Sequence, residues 1–158
     1  MSTRALINIV DRQEGRSFSK MLPSTAIHTQ IYKHYDGYPS RLGVTLASYL
    51  KGYDIRNGVP NNYTGFENKI ANGIGCLSAQ LVYHLKDEPG NVYLQPPGNI
   101  DMEDYVYYVW IKESKEIMIS IFEVGFNANL DPLYDDRDKC IFVGNCESLI
   151  KKYEYNDE

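Results

Sequence analysis

The chain has 158 residues, of which 43% are hydrophobic and 23% are charged; this composition fits one folded domain with one core and excludes a disordered protein. The formal net charge of −5 argues against a protein that binds duplex nucleic acid through a basic face. Tyrosine is frequent, with 14 residues against 5 Phe and 1 Trp, which favours a strand-rich domain over a tyrosine-lined binding site.

The chain begins with a pattern of two strands. Residues 4–10 are apolar and rich in branched side chains, as in a buried strand. Residues 12–25 are polar and contain glycine and proline, so they predict a long hairpin loop. Residues 27–35 alternate between apolar and polar side chains and predict the second strand of this hairpin.

Two consecutive helices are predicted in the middle of the chain. The first runs from Ser40 to a stop at Gly52, and Pro39 suits its first turn. Residues 53–65 are polar and rich in turn formers, which predicts an irregular connection. The second helix is predicted over residues 66–86, because apolar side chains recur there every three or four positions, and two glycines weaken its middle.

Four strands and one short helix are predicted in the second half of the chain. The strands cover residues 91–94, 105–111, 117–124 and 139–143. Residues 112–115 predict a hairpin connection. The acidic segment 131–138 lacks the spacing of an EF-hand and predicts a solvated loop. Asn145 is the expected cap of a C-terminal helix that runs through Tyr153.

The order of these elements, β-β-α-α-β-β-β-β-α, determines the predicted fold class. Two adjacent helices between strand pairs are not a regular βαβ series, so we predict an α+β fold. It consists of an antiparallel β-sheet with two consecutive helices inserted between strand pairs and a short C-terminal helix. Neither an internal repeat nor a linker interrupts the chain, and residues 1–158 are therefore predicted to form a single domain.

The cysteines and the N-terminus indicate a cytoplasmic protein. Cys76 lies in an apolar helical pattern, and Cys140 and Cys146 are six residues apart, without a CxxC pair or a zinc-binding spacing. We expect free thiols in a reducing compartment. The N-terminus lacks the pattern of a signal peptide, and no apolar run reaches membrane-spanning length, so no membrane partner is expected.

The sequence offers no recognisable catalytic motif and no metal motif. It contains no Walker, GxGxxG, GxSxG or HExxH pattern. His28 and His34 project from the same face of a predicted strand, but about 20 Å of strand separates them, which is too far to share one ion. An enzyme acting through His34 and Asp36 is the weakest interpretation, because no nucleophile accompanies them. We expect no cofactor, no metal and no enzymatic activity.

The densest group of polar side chains lies where a predicted strand turns into a helix. The candidate ligand-binding residues are Lys33, His34, Tyr35, Asp36, Tyr38 and Arg41, with Arg4 from the neighbouring strand. As a ligand site, this junction offers the free N–H groups of a helix start to an anion, adds cations, and stacks tyrosines on a base. As a structural element, Asp36 caps the turn and Pro39 begins the helix. We favour the structural interpretation slightly.

The aromatic run in residues 105–111 offers a second choice between structure and binding. Tyr105 and Tyr107 share one strand face, and Tyr108 and Trp110 share the other. Cross-strand aromatic packing is favoured over an aromatic platform for a base or a partner.

Several segments together resemble a family of small proteins from phages and bacterial genomes. The matching segments are MSTRALI, IYKHYDGYPS, ANGIGCLSAQLVYHLK, VYLQPPG and DYVYYVW. Members start with Met-Ser/Ala-Thr-Arg, carry a His-x-Asp-Gly-Tyr-Pro turn and have a Gly-Cys-Leu-Ala-Ala-Gln-Leu-Val helix. The resemblance covers roughly residues 1 to 125; the 12–25 loop and the acidic segment after Asn127 depart from the family.

The layout is also similar to that of the phage Thoeris anti-defence proteins, which sequester a cyclic ADP-ribose immune signal without cleaving it. No ligand residue of that family matches here one by one. The resemblance implies a phage counter-defence binding protein in the host cytoplasm, with a small nucleotide-type ligand and a homo-oligomeric assembly. The alternative is a protein-binding inhibitor of a host defence protein, such as a CRISPR or restriction complex, with an acidic and aromatic surface.

Overall fold

The structure, a computed structural model, describes residues 2–10, 24–65, 68–99, 103–126, 132–133 and 140–154. The strands in this part of the chain are β1 (Ala5–Val10), β2 (Ile27–Lys33), β3 (Asp54–Arg56), β4 (Ile70–Asn72), β5 (Val92–Gln95), β6 (Tyr105–Ile111), β7 (Ile117–Glu123), β8 (Gly125–Phe126), β9 (Pro132–Leu133) and β10 (Cys140–Asn145). The α-helices are α1 (Val44–Leu50), α2 (Gly73–Leu85) and α3 (Cys146–Tyr153).

Six strands form the central sheet in the order β10-β7-β6-β1-β2-β5. Four of the five neighbouring pairs are antiparallel, and β1 and β6 form the one parallel pair. This arrangement confirms the predicted α+β class, with an antiparallel-dominated sheet and a short C-terminal helix. The β1–β2 pairing is also that of the predicted hairpin, although most of its 12–25 connection lies outside the described residues.

Alternating side chains give the sheet two buried faces. On one face, Ile7 and Tyr107 belong to a cluster with Leu46 of α1, Leu77 of α2 and Leu149 of α3. This cluster contains buried residues of all three helices, so it is the helix-covered face of the sheet.

The opposite face buries the residues that alternate with those of the first face. Tyr108 packs edge-on against Phe122, with ring centroids 5.6 Å apart, and Trp110 Nε1 donates a hydrogen bond of 3.0 Å to Ser120 Oγ. Tyr107 and Tyr108 therefore bury on opposite faces, as the alternation predicted. Tyr108 and Trp110 both contact side chains of β7, as cross-strand packing requires.

The predicted helix over residues 66–86 is wrong at its start, since α2 begins at Gly73. Residues 70–72 instead form β4, which pairs in parallel with β3 inside the segment predicted to be irregular. The backbone explains the difference: Lys69 has φ +50° and Gly73 has φ +82°, and neither angle continues a right-handed helix. The two glycines that were predicted to weaken the middle of the helix therefore lie in its first turn.

The remaining predicted elements agree with the structure to within a few residues. The helix predicted from Ser40 begins with one wide, π-helical turn over Pro39–Gly43 and continues as α1. Asn145 caps α3 as predicted, because its Oδ1 accepts a 2.8 Å hydrogen bond from Ser148 N. Nearly all of the 131–138 segment lies outside the described residues. None of the described helices combines the length and apolar character needed to cross a membrane.

Candidate functional site

The predicted junction at residues 33–41 is built around Gly37. Its N–H donates to Thr3 O at 2.9 Å, and its carbonyl accepts a 2.8 Å hydrogen bond from the buried Tyr107 hydroxyl. A Cβ at position 37 would lie 2.7 Å from the Cβ of Ala5, closer than side chains approach. The turn therefore packs directly on β1, and its glycine has a structural role.

The polar side chains before the turn contact each other and the β5 region. His34 N donates to Asn91 O at 3.0 Å, and His34 Nδ1 lies 3.0 Å from the Tyr32 hydroxyl. The Tyr35 hydroxyl donates to the Glu88 carboxylate, and this hydrogen bond raises the pKa of Tyr35 to about 12. The conformations of His34 and Tyr35 are thus explained by contacts with Tyr32, Asn91 and Glu88.

Lys33 continues the same surface network. Its Nζ lies 4.2 Å from the centroid of the Tyr35 ring, a cation–π contact. Burial lowers the pKa of Lys33, and the nearby carboxylates of Asp36, Asp87 and Glu88 oppose this shift.

The candidate residues after the turn also contact their neighbours. The Asp36 residue is exposed to solvent, and its backbone adopts the left-handed conformation, with φ +56°. The Tyr38 carbonyl accepts from the N–H groups of Arg41 and Leu42 at 3.0 and 2.9 Å, which starts the helix. Arg41 Nε donates to the Tyr38 hydroxyl at 3.3 Å, and Arg4 N donates to Asp104 Oδ2 at 3.0 Å.

The structure thus brings the seven predicted residues to one end of the sheet, where Ala5 pairs with Lys33. Ring contacts link Tyr35 to Lys33 and His34, and a hydrogen bond links Arg41 to Tyr38. None of the seven residues lines either of the two cavities described next.

A cavity of about 440 Å³, the strand-end cavity, lies at the opposite end of β1. In the part of the chain that the structure describes, ten residues line it: Val10, Ile55, Arg56, Asn57, Gly73, Ile74, Ile111, Lys112, Glu113 and Lys115. Because β1 and β6 run in parallel, Val10 and Ile111 end at the same edge of the sheet. Arg56 lies beside them at the end of β3, which is parallel to β4. Ligands commonly bind beyond the carboxyl ends of parallel strands.

The first turn of α2 contributes Gly73 and Ile74 to the wall of this cavity. The side chain of the preceding Asn72 does not cap the helix; its Oδ1 accepts a 2.6 Å hydrogen bond from Gly58 N instead. The N–H groups of a helical first turn have no partner within the helix, and they carry partial positive charge. Gly73, with φ +82°, suits the conformation that starts the helix here.

The described lining of the cavity carries more cations than carboxylates, although the whole chain is acidic. Arg56, Lys112 and Lys115 belong to this lining together with one described carboxylate, Glu113. Arg56 lies 3.6 Å from Asp54 and Lys112 lies 3.5 Å from Glu116, and both pairs are solvent-exposed. Exposed pairs of this kind neutralise each other weakly and exchange partners at little cost. The lining also contains four aliphatic side chains: Val10, Ile55, Ile74 and Ile111.

A second cavity of about 140 Å³, the hairpin cavity, lies on the other side of Lys115. It is bounded by residues 50–53, 115–117 and 145–147. Its lining includes the carboxylates of Glu116 and Glu147 and the thiol of Cys146. Burial raises the pKa of Cys146 to about 11, which disfavours the thiolate at neutral pH.

Sequence reasoning missed the cations of the strand-end cavity. Arg56 lies in a segment predicted to be an irregular connection, and Lys112 and Lys115 lie in a predicted hairpin turn. The available signal was the run Asn72-Gly73-Ile74-Gly75, which resembles a glycine-rich helix start. Placing the helix start at residue 66 hid that signal.

Among the described residues, no group of three His, Cys, Asp or Glu side chains is arranged to hold a metal ion. No protein family matches the chain, and no curated protein or solved structure shows significant similarity to it. The resemblance to phage proteins therefore stays a prediction.

Proposed function

We propose that this protein binds a small phosphorylated ligand of nucleotide type in the strand-end cavity and holds it without cleaving it. The observation that carries this proposal is the combination of three cationic side chains with an uncapped helix start around one cavity. Helix starts and lysine or arginine side chains are the groups that bind phosphate in proteins.

The size and the lining of the cavity support a nucleotide-type ligand over a simple anion. A volume of about 440 Å³ falls within the range of small-molecule sites, about 300–1,000 Å³. The aliphatic side chains of Val10, Ile55, Ile74 and Ile111 offer an apolar surface to a nucleobase. The cations beside them are suited to a phosphate. A purely apolar ligand would leave these cations unpaired.

The lining supports binding more than catalysis. The described residues around the strand-end cavity include no His, Cys, Ser, Thr or Tyr, so they offer no hydroxyl or thiol nucleophile and no imidazole base. Glu113 is the one titratable acid among them. A counter-defence sponge, the role implied by the resemblance, requires capture of a signal and no chemistry. We therefore include that role in the proposal.

The proposal is tested by thermal-shift titration with AMP, ADP and cyclic AMP. A ligand at 100 times its Kd that binds only the folded state adds about 2.7 kcal/mol. We expect a saturable rise in melting temperature, with the ligand recovered intact after denaturation. Recovery of a cleaved ligand would instead identify an enzyme.

Two variants of equal charge locate the site. The double change Arg56→Gln and Lys112→Gln should abolish the thermal shift. The double change Arg4→Gln and Arg41→Gln removes the same charge at the other end of the sheet, and it should leave the shift intact. The reverse result would move the site to the junction at residues 33–41, and no shift with any of the three nucleotides would overturn the proposal.

A protein-binding inhibitor remains the second candidate, and the edge strand β5 favours it. Tyr93 and Leu94 are 48% and 66% exposed on this strand, and Lys86 Nζ lies 5.6 Å from the Tyr93 ring centroid. Exposed aromatic and aliphatic side chains beside an open strand edge are typical of protein interfaces. Changing Tyr93 and Leu94 to Ser should then abolish capture of a host defence protein, while the Arg56 and Lys112 variant retains it.

A further inference from the structure

Among the described residues, Lys115 alone lines both cavities. The strand-end cavity extends along residues 111–115 of the β6–β7 hairpin, and the hairpin cavity continues along residues 115–117. The opposite walls also follow each other in the chain, with residues 50–53 beside the small cavity and 55–57 beside the large one. The two cavities therefore adjoin at Lys115, and together they are called the groove.

The backbone of Lys115 is unusual for a lysine. Lys112 N donates to Glu116 O at 3.0 Å, and Lys115 N donates to Lys112 O at 2.8 Å, which closes a three-residue hairpin loop. The last residue of such a loop adopts the left-handed conformation, and glycine is the residue that suits it. Lys115 has φ +75°, a conformation that is unfavourable for a residue with a side chain.

A second lysine in the left-handed conformation, Lys69, has a structural role that explains its side chain. Its φ is +50°, and its Nζ donates to the carbonyls of Tyr49 and Lys51 at 3.2 and 2.7 Å. These two bonds bind carbonyls at the end of α1. Across the described part of the chain, Lys115 Nζ makes no comparable hydrogen bond or ion pair.

The hairpin cavity suits a different chemical group from that of the strand-end cavity. Its volume of about 140 Å³ equals roughly five water molecules, which is comparable with one sugar ring. Glu116 and Glu147 present carboxylate oxygens, which accept hydrogen bonds from hydroxyl groups and repel a phosphate. A hydroxyl-bearing group therefore fits here, and a second phosphate does not.

We infer that Lys115 binds an internal phosphate of the ligand, and that the ligand belongs to the nucleoside diphosphate sugars. The nucleoside lies in the strand-end cavity, the diphosphate pairs with Lys115, and the sugar enters the hairpin cavity. This inference rests on the proposed function, since it names the class of ligand for the same groove. The hairpin loop accounts for the left-handed backbone of Lys115, and the ligand would account for a lysine at a position that suits glycine.

Calorimetric titrations with ADP and ADP-glucose test the inference, because ADP-glucose is ADP with a glucose on its terminal phosphate and one negative charge less. The wild-type chain should bind ADP-glucose on the order of tenfold more tightly than ADP. Lys115→Gly should weaken both ligands on the order of tenfold, the worth of one charged hydrogen bond. Glu147→Gln should remove only the advantage of ADP-glucose.

Melting temperature separates a binding role of Lys115 from a structural one. Lys115→Gly relieves the left-handed backbone, so its melting temperature should equal or exceed that of the wild type. The matched variant Lys69→Gly relieves a similar backbone but loses two hydrogen bonds; it should melt lower and bind both ligands normally. Lys115→Asn provides a second test, because asparagine tolerates this conformation and also lacks the charge.

The outcomes distinguish the two proposals. Equal binding of ADP and ADP-glucose to the wild type, or unchanged binding in both Lys115 variants, would refute the inference and leave nucleotide capture standing. Absence of binding by AMP, ADP and ADP-glucose would refute the proposed function itself.

Discussion

Substitution of Gly37 by alanine tests whether the strand-to-helix junction is primarily structural. The new Cβ would lie 2.7 Å from the Ala5 Cβ and 3.0 Å from the Arg4 carbonyl carbon. Both atoms belong to the start of β1, which is held between β2 and β6. The turn must therefore move away from the strand, and the hydrogen bond between Tyr107 and the Gly37 carbonyl lengthens.

The magnitude follows from these two effects. Overpacking at a tight site costs about 1–3 kcal/mol, and loss of the Tyr107 hydrogen bond adds about 0.5–1.5 kcal/mol. We expect the free energy of unfolding to fall by about 2–4 kcal/mol. For 158 residues the entropy of unfolding is roughly 0.33 kcal/mol/K, so the melting temperature should fall by about 6–12 °C.

Thermal unfolding followed by circular dichroism measures this effect, and urea unfolding gives the free energy independently. Tyr107→Phe serves as the matched control, because it removes the hydrogen bond without adding a Cβ. Its loss should be about 1 kcal/mol. A melting temperature of Gly37→Ala within 2 °C of the wild type would refute the structural interpretation of the turn.

Three further predictions concern other residues. The double change His34→Ala and Arg41→Ala should leave the melting temperature nearly unchanged if these exposed and half-exposed side chains serve binding, and a large loss would assign them to structure. Asn8→Val should raise the free energy of unfolding by about 1 kcal/mol or more, because the buried Asn8 Oδ1 has no hydrogen-bond partner in the described chain; a lower melting temperature would contradict this. Iodoacetamide at pH 8 should modify Cys146 far more slowly in the native protein than in the urea-unfolded chain, since burial raises the pKa of its thiol to about 11; equal rates by mass spectrometry would contradict this.

The sheet was predictable because its signals are local. β1 is a largely apolar run of six residues, and β6 is a run of seven aromatic and branched residues. A run of this kind is enough to predict a buried strand from the sequence. The pairing of β1 with β6 is not local, since nearly 100 residues separate the two strands. No pattern in either strand specifies its neighbour, and the parallel pair was therefore missed.

The start of α2 and the cationic cavity were missed for one common reason. Apolar residues before Gly73 continue the helical spacing, so periodicity alone extends the helix into β4. The backbone angles of Lys69 and Gly73 decide against it, and only tertiary packing fixes such angles. The cationic cavity includes the first turn of α2, and the predicted start of this helix was seven residues too early. The sequence therefore could not indicate the cavity.

The position of the groove follows from the parallel pairing of β1 with β6. Because the two strands are parallel, β1 ends at Val10 and β6 ends at Ile111 on the same edge of the sheet. In an antiparallel pair, the end of one strand would lie beside the start of the other. The chain leaves β6 through the 112–115 turn, and the short β3–β4 pair brings Arg56 and the α2 start to the same edge. The cations of the groove thus lie in turns and strand ends, outside the buried clusters that stabilise the sheet. Substitutions of Arg56, Lys112 and Lys115 should therefore change ligand affinity far more than the free energy of unfolding.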